Sequence, residues 1–534
     1  MDRGGRGKGE GGRVRLVPAR FQPALPLDQL ILKDATPAAE RMELDVVIVG
    51  AGPAGLATAI ELARLGKQSG RDLTIGVLEK AGALGEHSLS GAVINPRAFR
   101  ELFPDLKDSD FPFRGPVAHE RVSLLTERHA FAIPTPPPVK NHGNYVASLC
   151  EVVRWLGEKA EELGVNIFTG FPAAALLVEG SKVVGVRTAA SGLGRGGEQG
   201  SGYSAPTDLV AKVTVLAEGT RGMLAQAYLE WQGVASANPQ IFALGVKELW
   251  ETKQPLDTVV HTLGWPLPSD VFGGSFMYPM GQNLVALGLV VGLDYRDASL
   301  DPHVLLQRMK LHPLFREQLE GGEMVEWGAK TIPEGGYYSV PARRSGDGVV
   351  IVGDSAGFVD VPSLKGIHYA MQSGMLAARA IAQDRLAEYD RAVNESFIMS
   401  DLYRTRNMRL AFKGGLYVGG AKAALMSLTG SGLGGRILVE ADVAVPRHAG
   451  AATVFVPDGK LTFSKLDAVF KSGNATRDTI PTHLVVGQDV SAEAAEFYAH
   501  MCPAGVYEVS EGKLKRECPD HAESFRTPAS LKTH

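Results

Sequence analysis

The hexapeptide Gly50-Ala51-Gly52-Pro53-Ala54-Gly55 constrains this chain more than any other feature. It stands between the β-branched run Asp45-Val46-Val47-Ile48-Val49 and an alanine-rich stretch at helical spacing, Ala54 to Leu65. Strand, tight turn and helix in that order form a dinucleotide fingerprint. The first glycine permits the turn, the second lets a pyrophosphate approach the backbone, and the third lets the helix pack on the strand. Phosphate charge then meets the helix N-terminus. A second β run, Leu73 to Leu78, leads into Glu79, whose carboxylate is placed to accept hydrogen bonds from ribose hydroxyls. A βαβ unit therefore opens a parallel sheet.

A second signal is Gly353-Asp354-Ser355-Ala356-Gly357-Phe358, which follows the strand Val349 to Val352 and precedes a helix beginning near Ile367. A buried aspartate there needs polar partners. The ribityl hydroxyls of a flavin would provide them, and a helix N-terminus would favour negative charge at the N1/O2 edge of a reduced ring. Ala217-Glu218-Gly219-Thr220-Arg221-Gly222 has the form of a third dinucleotide-contacting turn. Three such turns in this order distinguish FAD from NAD. The glycines from Gly192 to Gly197 lie in a polar loop, so a built-in NAD(P)H site is not supported and a protein electron donor becomes the expectation.

At 534 residues the chain is long enough for three or four units. Residues 1–41 set Arg3, Arg6, Lys8, Arg13, Arg15 and Arg20 among glycines, with no apolar periodicity, and read as a disordered tail. An organelle-targeting peptide is the less favoured reading, because Asp2, Glu10 and the glycines weaken its helix. Residues 42–240 read as the first part of an FAD-binding domain, with a connector at 133–138, a helix from Ser148 to Leu163, strands at 183–186 and 209–216, and a mobile glycine-rich loop between the strands. Residues 241–334 read as a mainly antiparallel sheet domain and 335–395 as the closing part of the FAD domain. Residues 396–500 read as a helical region contacting a membrane. The expected class is α/β and α+β: a discontinuous Rossmann-like FAD domain with an inserted antiparallel sheet domain.

A net charge of −4 without a long basic run argues against a nucleic-acid partner. The longest apolar stretch, Leu284 to Leu293, is too short to span a bilayer. The segment from Leu410 to Leu433 mixes Phe412, Leu416, Tyr417, Val418, Leu425 and Leu428 with Lys413 and Lys422. Its composition suits a helix lying at an interface with its lysines reaching the head groups; a helix buried in the globule is the competing reading. Three cysteines cannot build a disulfide framework and fit a reducing compartment.

Longer strings carry a resemblance to a known family. Gly85-Glu-His-Ser-Leu-Ser-Gly-Ala92, Gly245-Val-Lys-Glu-Leu-Trp-Glu251, Gly273-Gly-Ser-Phe276, Leu287-Gly-Leu-Val-Val-Gly-Leu-Asp-Tyr295, Ile332-Pro-Glu-Gly-Gly-Tyr-Tyr-Ser-Val-Pro341 and Cys502-Pro-Ala-Gly-Val-Tyr-Glu508 closely resemble the electron transfer flavoprotein-ubiquinone oxidoreductase family over about residues 42 to 508. The resemblance implies an enzyme, an electron-transferring-flavoprotein dehydrogenase. It would take electrons from reduced electron transfer flavoprotein and reduce ubiquinone, using FAD and a 4Fe-4S cluster on one membrane face: cytoplasmic in a bacterium, matrix in a mitochondrion. It places Gly50, Gly52, Gly55 and Glu79 at the adenosine half of FAD, Ser90, Gly91 and Asp354 near the flavin and ribityl chain, and Gly366 and Ile367 at the helix facing the N1/O2 edge. Gly273 and Gly274 would meet the quinone, Cys502 would ligate the cluster, and 501–534 would be an incomplete iron-sulfur segment, a truncated ferredoxin-like C-terminus. Ile367 replaces a hydroxyl residue of some relatives, which removes one hydrogen bond to the flavin.

The cluster needs four thiolates. After Cys502 the sequence has only Cys518, and Cys150 reads as a buried structural thiol. A shortened C-terminus, a separate ferredoxin-like subunit and loss of the cluster remain open readings. So do a flavin hydroxylase or isoprenoid reductase and a cluster-less scaffold protein. His87 and His368 lie near the flavin motifs and read as structural hydrogen-bonding residues, leaving no acid or base assigned to bond-breaking.

Overall fold

In the computed structural model the described residues are 15–510, except Ser90, Ser431, Ala449, Ala452 and 474–489, together with the backbone of 513–515. Strands β1 (Ile31–Lys33) and β2 (Glu40–Val49) precede helix α1 (Pro53–Gln68) and strand β3 (Ile75–Glu79). Strands β4 (His119–Leu125) and β5 (Ala130–Ile133), helix α2 (Leu149–Glu162), and strands β6 (Asn166–Thr169), β7 (Ala173–Glu179), β8 (Lys182–Thr188) and β9 (Thr207–Leu216) follow. Next come β10 (Phe242–Glu251), β11 (Thr258–Gly264), β12 (Gly273–Pro279), β13 (Leu284–Gly292), helix α3 (Pro302–Lys310), β14 (Glu323–Pro333) and β15 (Val349–Ile351). Helices α4 (Ile367–Ala382), α5 (Phe397–Thr405), α6 (Gly415–Thr429), α7 (Lys465–Phe470) and α8 (Ala492–Met501) complete the set used below.

The first sheet runs β6-β3-β2-β9-β8-β7-β1, with β15 beside the second half of β9. Its centre, β6-β3-β2-β9-β15, is parallel, and its strands are short apolar runs because helices cover both faces. Val47, Ile48, Val77, Val215 and Val350 are completely buried in this core. Strand β15 arrives some 130 residues after β9, so the domain is discontinuous, as the return to strand-turn-helix patterning predicts.

The second sheet runs β14-β10-β13-β12-β11-β4-β5 and is antiparallel except for the β11–β4 pair. Strands β4 and β5 come from within 42–240, so the sheet domain is not confined to 241–334. Parallel pairing of Thr258–Gly264 with His119–Leu125 recruits them, a long-range choice that local pattern cannot reveal. The tail expected over 1–41 also needs correction. Leu30 and Ile31 are buried, and β1 pairs with Leu176–Val178 at the edge of the first sheet; residues 1–14 lie outside the described residues. The glycine-rich loop contains a hairpin, Ser191–Leu193 against Gln199–Ser204.

A buried ion pair ties the C-terminal region to the second sheet. Lys310 Nζ on α3 lies 2.8 Å from Glu248 on β10, and both side chains are fully buried. Trp250 Nε1 and Gln307 Nε2 also donate to that carboxylate. The Lys310 ammonium stands over the rings of Trp250 and Phe463, 5.1 and 5.0 Å from their centroids. Phe463 is held in turn, its amide donating to Gln307 and its carbonyl bonded to His303. Removing one partner of such a pair strands a charge in the core. Lys310→Met is therefore expected to cost about 3–5 kcal/mol, read as a lower urea midpoint. Adding Glu248→Gln should recover part of that loss, since the amide still accepts hydrogen bonds. A single variant as stable as the parent would contradict this account.

Candidate functional site

The cleft between the two sheets is built from glycine turns. Gly50 has φ +106°, and a Cβ there would lie 2.4 Å from the Ala217 carbonyl oxygen, while one on Gly55 would lie 2.0 Å from the Gly50 oxygen. Both positions admit only glycine, as strand, turn and helix pack too closely for a side chain. Gly52 differs: nothing lies within 4 Å of its Cβ position, and no side chain caps α1, which opens with Pro53. The first-turn amides of α1 thus remain available to an anion. Glu79, at the end of β3, accepts from the amides of Ala51 at 3.1 Å and Ala81 at 2.9 Å, which fixes its carboxylate beside the turn.

Gly353 begins the second turn at φ +64° and donates its amide to Ser373 Oγ. Asp354 follows. Burial pushes its carboxyl up to about 6, against the opposing influence of Lys330 and a hydrogen bond from Thr220. A Cβ on Gly366 would lie 3.6 Å from Asp354 Oδ1, so the aspartate and the start of α4 at Ile367 share one wall. Helices α1 and α4 pass in close contact: a Cβ on Gly374 would lie 2.3 Å from the Ala54 oxygen. The predicted third turn lies beside the second, with Ser355 Oγ donating to the Gly219 carbonyl. Glu218 points inward and accepts from the amides of Leu224 and Ala225, capping the helix Met223–Trp231.

Gly91, at φ +77°, lies where a Cβ would be 2.5 Å from that of Ala286 on β13, bringing its segment onto the second sheet. Ser90 lies outside the described residues. His87 Nδ1 is buried, 3.8 Å from Glu79 Oε1, and burial with Lys80 and Lys330 nearby lowers its pKa to about 3. His368 is likewise lowered to about 3, by burial, Lys365 and Arg97, and stacks on Phe397 with ring centroids 5.9 Å apart. Both imidazoles are neutral at physiological pH.

A dinucleotide fits this arrangement. Gly52 gives it backbone access, Glu79 faces one end and Asp354 lies half-buried at the other, beside the opening of α4. The sequence reading missed the lysines Lys80, Lys247 and Lys330 around the cleft. The only cue to the last two was a lysine two positions after a glycine within a strand, Gly245-Val-Lys247 and Gly328-Ala-Lys330.

Gly273 and Gly274 begin β12. Cβ atoms there would lie 2.1 Å from the Val290 oxygen and 2.5 Å from the Thr262 oxygen, so close strand packing by itself requires both glycines. Neighbouring Phe272 meets Phe412 edge-on with centroids 5.1 Å apart, joining β12 to the segment before α6. Along α6, Tyr417 and Leu428 are 75% and 84% exposed, and Val418 and Leu425 are also exposed. That distribution contradicts a helix buried in the globule. Among the described residues no helix is long and apolar enough to cross a membrane. A cavity of about 370 Å³ lies between α4, α5 and α6, lined by Lys365, His368, Tyr369, Asp401, Arg404 and Met426; neither Gly273 nor Gly274 lines it.

Cys502, at the end of α8, is buried, and the amides of Ala504, Gly505 and Val506 hydrogen-bond its sulfur. Such a turn suits one cluster thiolate. Among the described residues, however, no group of three or more His, Cys, Asp or Glu is placed to hold a metal. Cys150 is half-buried and donates its thiol to the Ser88 carbonyl, and Cys518 lies outside the described residues. The described side chains therefore do not fit a whole 4Fe-4S cluster.

The family model "ETF-QO, ubiquinone-binding" matches residues 242–332. The chain is 38% identical over 514 residues to the mitochondrial electron transfer flavoprotein-ubiquinone oxidoreductase of Dictyostelium discoideum, covering 89% of this chain and 85% of that one. It is 40% identical over 506 residues to the Arabidopsis thaliana counterpart, covering 89% and 79%. Among solved structures, a geranylgeranyl bacteriochlorophyll reductase-like protein from Thermoplasma acidophilum superposes with a TM-score of 0.54 at 18% identity, covering 73% of this chain and 96% of that one. A flavin-dependent brominase superposes at 0.51 with 17% identity, covering 73% and 94%. These likenesses fix the fold as a mixed α/β FAD-dependent oxidoreductase fold, with a parallel Rossmann-like sheet and an antiparallel sheet domain. The chain belongs to the electron transfer flavoprotein-ubiquinone oxidoreductase family.

Proposed function

We propose that this chain accepts electrons from reduced electron transfer flavoprotein and reduces ubiquinone at a membrane surface, with FAD as its carrier. One observation carries the reading: the sheet matched by the ubiquinone-binding model contacts the dinucleotide cleft at Gly91 through Ala286. Bound FAD would supply a ring that accepts and releases electrons. Gly50, Gly52 and Gly55 bring backbone to its pyrophosphate, and Glu79 orients the adenosine ribose. Asp354 and Gly91 hold the ribityl and flavin end, with Ser90 assigned there by the family pattern. Gly366 and Ile367 aim α4 at the flavin. Because Ile367 is apolar, polar contact from the first residue of that helix is left to backbone amides. Gly273 and Gly274 are the proposed quinone contacts. Neutral His87 and His368 shape the cleft without delivering protons.

The exposed apolar side chains of α6, with Lys413 and Lys422 beside them, suit shallow insertion into one membrane leaflet. Cys502 supplies one cluster thiolate in this reading, and the others come from a separate ferredoxin-like subunit or from beyond the described residues.

Purified FAD-loaded chain, with the cluster-bearing partner where one is required, should oxidise reduced electron transfer flavoprotein and reduce a short-chain ubiquinone under anaerobic conditions. Rapid reduction by NADPH with no response to the flavoprotein would overturn the reading. Asp354→Ala should raise the FAD dissociation constant about ten- to a hundredfold by removing a half-buried acceptor, measured by fluorescence titration. The parent chain should float with anionic liposomes, and Leu428→Asp combined with Tyr417→Asp should leave it in the soluble fraction; equal flotation of both would remove α6 from the membrane contact.

A further inference from the structure

Strands β10 and β14 present two lysines on one face of the second sheet. Lys247 is registered opposite Gly328 and Lys330 opposite Gly245, so each lies across from a residue with no side chain. Residues two apart share a face, which places both stems on the same side. That side meets the segment bearing His87, Leu89 and Gly91. Lys247 Nζ donates to the Gly91 carbonyl at 2.9 Å, and Lys330 Nζ reaches the His87 carbonyl at 3.4 Å. Between them Leu89 fills the space over Gly328, its Cδ2 2.3 Å from where a Cβ would stand. Three contacts from the sheet therefore hold one segment of the cleft wall.

The charges are arranged around the same cleft. Lys330 is within electrostatic reach of both Glu79 and Asp354, the carboxylates at the two ends of the dinucleotide reading. Lys80 is within reach of Lys330 and Glu79. Burial and the neighbouring Lys330 bring Lys80 down to about 8, and burial brings Lys247 to about 8. Gathering ammonium groups in a half-buried cleft is unfavourable unless an anion is drawn to them.

We propose that Lys247 and Lys330 are positioning residues of the flavin site: they hold the His87, Leu89 and Gly91 segment against bound FAD and give its diphosphate-to-flavin stretch a cationic wall. The inference rests on the FAD reading above. Bound FAD, on taking two electrons from the donor protein and one proton from solvent, would carry one more negative charge than in its oxidised form. A cationic wall stabilises the reduced form more than the oxidised one. The sheet that bears the quinone motif on β12 thus also tunes the cofactor, through β13 and β10.

Lys247→Gln and Lys330→Gln, with Lys247→Arg and Lys330→Arg as charge-keeping controls, test this in the full chain. The readouts are FAD dissociation by fluorescence titration at low and high salt, and the flavin reduction potential by spectroelectrochemistry. Each Gln variant should bind FAD about tenfold more weakly at low salt, lose salt dependence, and show a lower potential; the Arg variants should restore the potential. FAD-loaded Gln variants with the parent's affinity and potential would overturn this inference alone. A parent chain that binds no FAD would overturn the FAD reading, and this inference with it.

Discussion

The contact between α1 and α4 is the constraint on which the rest of the cleft depends. Gly374 has no room for a side chain over the Ala54 oxygen, and a Cβ on Gly353 would lie 2.9 Å from that of Ala54. These approaches let two helix N-termini open toward one space. One brings unfilled amides at Gly52, the other begins beside Asp354 at Gly366. Two positive helix ends converging on a cleft favour a ligand with negative charge along its length. A dinucleotide that becomes more anionic on reduction answers that description.

The second sheet completes what the first begins. It covers the cleft through Ala286 against Gly91 and through the lysines of β10 and β14, and it carries the glycine pair on β12. The Glu248–Lys310 pair behind that sheet is rigid and directional, since its carboxylate accepts from three side chains. It sets α3 and the Phe463 segment on the sheet face away from local chemistry. Charge on one side of the fold serves anchoring, and charge on the other serves the ligand.

Much of this was legible in the sequence, for physical reasons. Glycines that admit no side chain, such as Gly50 and Gly55, announce themselves through spacing, and buried parallel strands through β-branched runs. The helix begun at Ile367 and the amphipathic one at Leu149–Glu162 were visible in the same way. What stayed hidden depends on long-range pairing. Ile31 is a strand only because Leu176 stands beside it, and β4 belongs to the second sheet only through β11. Lys330 looks like any strand lysine until register puts it opposite Gly245. Glu218 lies in a turn whose form suggested dinucleotide contact, and its side chain is taken up by the amides of a local helix.

The late return of β15 and α4 to the first sheet bears on how the protein is made. The ribosome delivers β2, the Gly50 turn and β3 early, but Asp354 and Gly366 only after the whole second sheet has emerged. Until residue 382 is out of the exit tunnel, α1 has no α4 to pack against, and the face that meets Gly374 is uncovered. Domains fold as units during synthesis, and this unit closes only when most of the chain exists. The cofactor cleft is thus a late product of translation, complete only after the residues of the second sheet have been synthesised.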